Sequence, residues 1–144
     1  LVAWQPVLNG DSFITQFLRL RIVAAAMDRN APQEKTTELK QQLVDGKAIE
    51  VAGYLLNPDL IVPMLSLQAN DIDLSGIKEL LLFEIVTNLD RGLSVANEKF
   101  IEKLHSKNQR SSAKIVVGSS FWSTQEIVEV PELLDETVTS LLCS

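Results

Sequence analysis

The stretch from Ser75 to Arg91 limits the fold of this chain more than any other segment. It contains apolar residues at spacings of one, three and four: Ile77, Leu80, Leu81, Phe83, Ile85, Val86 and Leu89. Such residues cover more than one stripe of a helix, which is typical of a helix with neighbours on several sides. Gly92 follows and suits a left-handed helix stop. The pattern therefore predicts a central helix over 75–91.

Further helices are predicted on both sides of this segment from capping residues and apolar spacings. They are one begun by Asp11 or Ser12 and ended by Asn30, one over 36–44, one over 47–56, a short or kinked one begun by Asn57 and Pro58, one begun by Ser94, and one begun by Pro131 with Leu134, Val138, Leu141 and Leu142 on one face. In 47–56, Ile49, Val51 and Gly53 alternate as in a strand, but the helical stripe matches more apolar positions, so we favour a helix. We therefore expect a mainly α fold, either an irregular helical bundle or a short helical-repeat stack.

The pattern changes after His105, where a polar loop is followed by two short β-branched runs, KIVVG and EIVEV. These runs predict a small β-hairpin near residues 114–130. The length of 144 residues fits one domain. We interpret residues 1–144 as a single domain from a longer chain, helical over about 11–106 and mixed over about 107–144.

Composition narrows the classes of function. No uninterrupted apolar run approaches the ~18 residues of a membrane-spanning helix, so no membrane contact is expected. One cysteine forms no internal disulfide, which favours an intracellular, cytoplasmic protein. One histidine and one cysteine do not make an ordinary zinc site, and the six scattered glycines form no phosphate loop. We expect neither a metal nor a cofactor.

Gly10, Asp11 and Ser12 are followed by an aromatic residue, and this block resembles the nucleophile block of the GDS-type lipase/esterase hydrolases. The resemblance implies Ser12 as nucleophile and His105 as base, with Glu102 replacing the family's aspartate. Pro6 interrupts the strand that the family places before its serine, and no later glycine or asparagine block follows. The competing interpretation is a helix start, in which the oxygens of Asp11 and Ser12 accept hydrogen bonds from first-turn amides. We favour the helix start.

Charge is distributed unevenly along a chain whose net charge is −6. Residues 91–120 hold six Lys or Arg and two acids, whereas residues 121–144 hold five acids and no base. The basic stretch 91–114 is a candidate for contact with phosphates, nucleic acid or an acidic partner, or for neutralisation by the acidic tail. The negative net charge and the lack of aromatic residues among the bases, except Phe100, argue against nucleic acid.

We predict a non-catalytic interaction, scaffolding or regulatory domain of a larger protein or complex. Its expected partner is another protein or another part of the same longer chain. The candidate partner-binding residues are five bases and two adjacent aromatics: Lys99, Lys103, Lys107, Arg110, Lys114, Phe121 and Trp122. The aromatic pair and the acidic tail after it either dock in a partner's groove or close the chain's own core.

Overall fold

The computed structural model describes residues 1–26, 34–123 and 127–142. Five strands and five helices follow one another: β1 Val2–Trp4, α1 Gly10–Ala26, α2 Thr36–Val44, β2 Ile49–Val51, β3 Tyr54–Leu56, α3 Pro58–Leu65, β4 Leu80–Val86, α4 Val95–Ser106, β5 Ser111–Val117 and α5 Pro131–Leu142. Short 3-10 turns lie at Ala69–Asp71, Leu89–Arg91 and Phe121–Ser123. The fold is mixed α/β, so the predicted mainly α fold is wrong, both as a helical bundle and as a helical-repeat stack.

The chain divides into two compact units. The sheet unit comprises Leu1–Leu8 and Ile72–Ser144, and the helical unit comprises Asn9–Asp71. In the sheet unit, β1, β4 and β5 form a parallel three-stranded sheet in the order β1-β4-β5. The helical unit contains α1, α2, α3 and the antiparallel hairpin β2–β3.

The predicted helix over 75–91 is wrong, because its central residues form β4. All seven residues from Leu80 to Val86 are buried. Pairing on both edges and helices on both faces leave no solvent-facing position on this strand, and a continuous apolar run is typical of that environment. The same run also fits a buried helix, so local spacing did not distinguish the two structures.

The predicted helix over 47–56 is wrong for a related reason. These residues form the hairpin, with Ala52 and Gly53 at its turn and positive φ values of 50° and 83°. Two successive residues with positive φ make the type of turn whose twist matches a two-residue hairpin. The hairpin predicted near 114–130 is also wrong, because β5 pairs in parallel with β4 and residues 127–130 form no strand.

Several helix boundaries are confirmed. α2 spans Thr36–Val44 as predicted, and Asn57 caps α3 by accepting a hydrogen bond from the Asp59 N–H, with Pro58 as the first helical residue. Ser94 caps α4, and α5 begins at Pro131. The predicted end of α1 near Asn30 lies outside the described residues. These caps are local hydrogen-bonding devices, which explains why sequence reveals them.

Each face of the sheet is covered by one helix. Leu81, Phe83 and Ile85 cluster with Val130 and Leu133, which places α5 on that face. Glu84 points to the opposite face and contacts the first turn of α4. The sheet unit is therefore a three-layer α/β/α arrangement.

The ends of the helical unit lie together. Asn9 and Gln68 form an isolated antiparallel bridge, and the Gly10 N–H donates to the carbonyl oxygen of Leu67 at 2.9 Å. The core of this unit contains residues of α1, α2, α3 and the hairpin: Ile14, Leu18, Leu39, Leu43, Ile49, Val51, Leu56 and Ile61.

Candidate interaction surface

The outer edge of β1 has backbone groups without a strand partner in the described part of the chain. The Leu81 N–H donates to the carbonyl of Leu1, and the Gln5 N–H donates to the carbonyl of Phe83. Parallel pairing alternates along a strand, so the odd-numbered residues of β1 bond to β4. The N–H and C=O groups of Val2 and Trp4 consequently point away from the sheet.

Gln5 ends this strand in an unusual conformation. Its φ is +43°, in the left-handed region, and its side-chain Oε1 accepts a 2.8 Å hydrogen bond from the Ile85 N–H. The Gln5 side chain thus takes the place of the Gln5 backbone carbonyl, which would accept this hydrogen bond if β1 continued through residue 5. β1 can therefore end after three residues without leaving a gap in the ladder.

The two open edges of the sheet differ in chemistry. β1 consists of Val2, Ala3 and Trp4 and carries no charge. β5 carries Lys114, a half-exposed charged side chain that an added strand would partly remove from water. Lysine on an edge strand is a common protection against unwanted pairing. By this criterion the β1 edge is the one suited to accept a strand.

The orientation of α5 gives this edge an apolar neighbour. On β5, the Lys114 ammonium lies 2.8 Å from the Glu136 carboxylate, which fixes one flank of α5 above β5. Leu134, Val138 and Leu141 lie about 140–160° around the helix from Glu136, at about 100° per residue. They therefore form the opposite flank, on the β1 side, and 51–56% of each is exposed. We call these three residues the apolar flank of α5.

A hydrogen bond connects this helix with β1, and a cleft lies between the helix and the residue before β1. The Trp4 Nε1–H donates to the Thr137 hydroxyl at 3.0 Å, and Leu141 lines a shallow cleft of about 230 Å³ together with Leu1. Trp4 itself remains 41% exposed. The β1 edge and the apolar flank are thus parts of one surface. The stripe predicted on the last helix exists, but the buried positions of α5 are Leu133 and Thr137.

The structure disperses the basic residues that the sequence singled out. Lys99 and Lys103 are exposed on α4, where Glu98 and Glu102 occupy the adjacent exposed positions. Lys114 is bound to Glu136, and the Arg110 guanidinium lies 3.5 Å from the Glu79 carboxylate. These pairs lie within the sheet unit and partly neutralise the basic stretch.

Lys107 lies at the C-terminal end of α4, near the Asp73 carboxylate. The pKa of Asp73 is lowered chiefly by the backbone N–H of Ser75, then by the Ser75 hydroxyl, and further by the charge of Lys107. Lys107 and Asp73 also line a small cleft of about 140 Å³. The charge of Lys107 is therefore partly engaged inside the chain.

Phe121 and Trp122 are adjacent and pack edge-to-face, with ring centroids 5.2 Å apart at 81°. Phe121 is half-buried against the cluster of Phe83, Ile85 and Leu133, whereas Trp122 is 49% exposed. Only Trp122 of this pair offers a large accessible ring to a partner.

Ser12 and His105 have local hydrogen-bonding roles. Ser12 lies in the first turn of α1, where its N–H donates to the Asn9 side chain at 2.8 Å. Asn9 is therefore the capping residue, and the predicted cap at Asp11 or Ser12 is wrong. The Asp11 carboxylate binds the Lys40 ammonium. In the sheet unit, the Nε2–H of His105 donates to the Ser111 carbonyl at 2.8 Å. That bond occupies Nε2, the nitrogen that takes the serine proton in Ser-His-Asp triads.

Sequence reasoning did not single out Glu84, the one acid within β4. Its side chain is 4% exposed, and its Oε2 accepts hydrogen bonds from the Asn97 amide at 2.6 Å and the Ser94 N–H at 2.9 Å. A lone acid in an otherwise apolar run is the signal that identifies such a group. This carboxylate binds the capping residue Ser94 and faces the positive end of the α4 dipole.

Among the described residues, no group of three or more His, Cys, Asp or Glu side chains is placed to hold a metal ion. Within the same residues, every helix is too short or too polar to cross a bilayer. Comparison with protein-family models, curated proteins and solved structures found no match to this chain.

Proposed function

We propose that this chain is a non-catalytic interaction module that joins a larger assembly by accepting a β-strand at the β1 edge. The observation that carries this proposal is an uncharged strand edge, with outward groups on Val2 and Trp4, on a strand that is hydrogen-bonded to the helix carrying the apolar flank. The bound polypeptide belongs to another protein molecule or to another part of the same longer chain. The proposal places this assembly in the cytoplasm.

Three physical arguments support strand addition. Parallel sheets are normally buried structures, and sheets of four to six strands are the commonest. Each backbone hydrogen bond that replaces hydration contributes about 0.5–1.5 kcal/mol. An added strand would also lie beneath the apolar flank and remove its side chains from water, at about 25 cal/mol per Å².

The test uses a photoreactive amino acid at Val138, on the apolar flank, and at Val95, an exposed apolar position on α4. Cells that make the protein are irradiated and the crosslinked polypeptides are identified. We expect a defined product from Val138 and none from Val95. We also expect the Val138 product to disappear when Val2→Pro removes an outward N–H. Ala113→Pro removes an outward N–H from β5 and should have no effect.

Equal crosslinking from both positions, or a product that survives Val2→Pro, would refute strand addition at β1. A triple charge reversal at Lys103, Lys107 and Arg110 provides a separate comparison. Loss of the product in that variant would assign binding to the basic stretch. Comparing the wild-type protein with Ser12→Ala on a short-chain ester tests the hydrolase hypothesis. A wild-type esterase activity that is lost in Ser12→Ala would refute a non-catalytic function.

A further inference from the structure

We infer that the strand accepted at the β1 edge belongs to a second copy of this chain, paired antiparallel about Ala3. This inference rests on the proposed function and names the partner. The two copies would be related by a two-fold axis perpendicular to the sheet, which is the commonest symmetry of soluble oligomers.

The hydrogen-bonding register of β1 fits this pairing. Both outward-pointing residues, Val2 and Trp4, lie one position from Ala3. Pairing about Ala3 places Val2 opposite Trp4 of the second copy, and residues paired in this way exchange both of their N–H···O=C bonds. Trp4 of the first copy and Val2 of the second exchange two further bonds, which gives about four hydrogen bonds in all. Every outward group of β1 is then satisfied.

The side chains of β1 also suit this arrangement. Ala3 pairs with itself at a position where opposing Cα atoms approach to about 4.5 Å, and its small side chain permits that approach. Val2 and Trp4 share the face of the sheet that α5 covers, because they pair with Leu81 and Phe83. The Val2 side chain of one copy therefore lies next to the Trp4 side chain of the other. Pairs of an aromatic and a β-branched residue stabilise antiparallel strands.

The same symmetry brings the two α5 helices together. An axis perpendicular to the sheet keeps both helices on one face, with their β1-side flanks turned toward each other. Those flanks are Leu134, Val138 and Leu141, which carry no charge. Glu136 lies on the opposite flank, bound to Lys114, so this acid stays outside the contact.

The number of strands supports closure at two copies. Joining the β1 edges gives a sheet in the order β5-β4-β1-β1-β4-β5, which falls in the ordinary size range. Its outer edges are both β5, where Lys114 opposes further pairing. The assembly therefore ends as a dimer and does not continue as a filament.

The test measures molar mass by light scattering after size exclusion, between about 5 and 200 µM, a range that detects dissociation constants of roughly 100 µM or tighter. We expect the wild-type chain at about twice its 16.0 kDa mass. Val2→Pro should give the monomer mass with an unchanged far-UV circular dichroism spectrum, because the bonds to β4 use other residues. Ala113→Pro is the matched edge control and should remain a dimer.

Leu134→Glu provides an independent variant if proline at position 2 prevents folding. It places a charge in the inferred contact, whereas Val95→Glu places the same charge on an exposed position of α4. We expect a monomer from the first and a dimer from the second. A wild-type monomer across the whole range, or a dimer that persists in both Val2→Pro and Leu134→Glu, would overturn the inference. In the monomer case the crosslink from Val138 still decides whether a different polypeptide uses this edge.

Discussion

Replacing the buried Glu84 tests whether the first turn of α4 depends on a carboxylate from β4. Glu84→Ala removes the acceptor of both the Ser94 N–H and the Asn97 amide. A buried donor left without a partner costs about 1–3 kcal/mol, so two cost about 2–6 kcal/mol. Whole domains are stabilised by about 5–15 kcal/mol, and the variant should therefore be close to unfolding. Glu84→Gln keeps the shape and one acceptor oxygen, so we expect a smaller loss of about 1–3 kcal/mol.

The assay is urea denaturation followed by circular dichroism, with Glu102→Gln as a control on the exposed face of the same helix. Surface substitutions of this kind change stability by less than about 0.5 kcal/mol. A double-mutant cycle between Glu84→Gln and Asn97→Ala should give a coupling energy above about 0.5 kcal/mol, because the two side chains share a hydrogen bond. A Glu84→Ala variant as stable as the control would refute the role assigned to this carboxylate.

Three further predictions concern close approaches and an exposed carboxylate. Gly118→Ala should destabilise the sheet unit by about 1–3 kcal/mol, since its Cβ would lie 2.5 Å from a Val130 methyl carbon, and Val130→Ala should restore part of the loss in urea denaturation. Gly10→Ala should lower stability by at least as much, because its Cβ would lie 1.9 Å from a backbone carbonyl oxygen of α3 that no side-chain change can move. Asp73 should titrate below the usual aspartate range by carboxyl NMR, and Ser75→Ala should shift its pKa upward while leaving the backbone hydrogen bond. Because the pKa of Asp73 is depressed in the folded state, the ionised carboxylate stabilises the fold above the unfolded pKa, and this stabilisation is lost as the pH falls through the folded pKa. A titration midpoint in the usual aspartate range would contradict the structure.

Local signals predicted local structure well. The boundaries of α2 and the caps of α3 and α4 depend on residues within one helical turn, such as Asn57 and Ser94. The sequence also revealed the stripe of Leu134 and Val138, although their exposed position depends on where α5 packs.

β1 and β4 were missed because their pairing is distant in sequence. β4 is bonded to residues near the N-terminus and to residues 111–117, and neither contact leaves a mark in the local spacing of 75–91. β1 is only three residues long and is followed by Gln5 and Pro6, which hides it from any periodicity analysis. The β1 edge could not be predicted for the same reason, because it exists only once β4 is in place.

The bridge between Asn9 and Gln68 also affects how the sheet assembles. Val2 must reach Leu81 across the whole helical unit, and connecting such distant residues normally slows folding. Once residues 9–71 have folded, the bridge between their ends shortens the effective loop between β1 and β4. Only the segments on either side of the helical unit remain to be ordered. Each halving of the effective loop saves about 0.6 kcal/mol of closure entropy. The folded helical unit therefore lowers the entropy cost of pairing β1 with β4, and β1 can join the sheet after β4 has been synthesised.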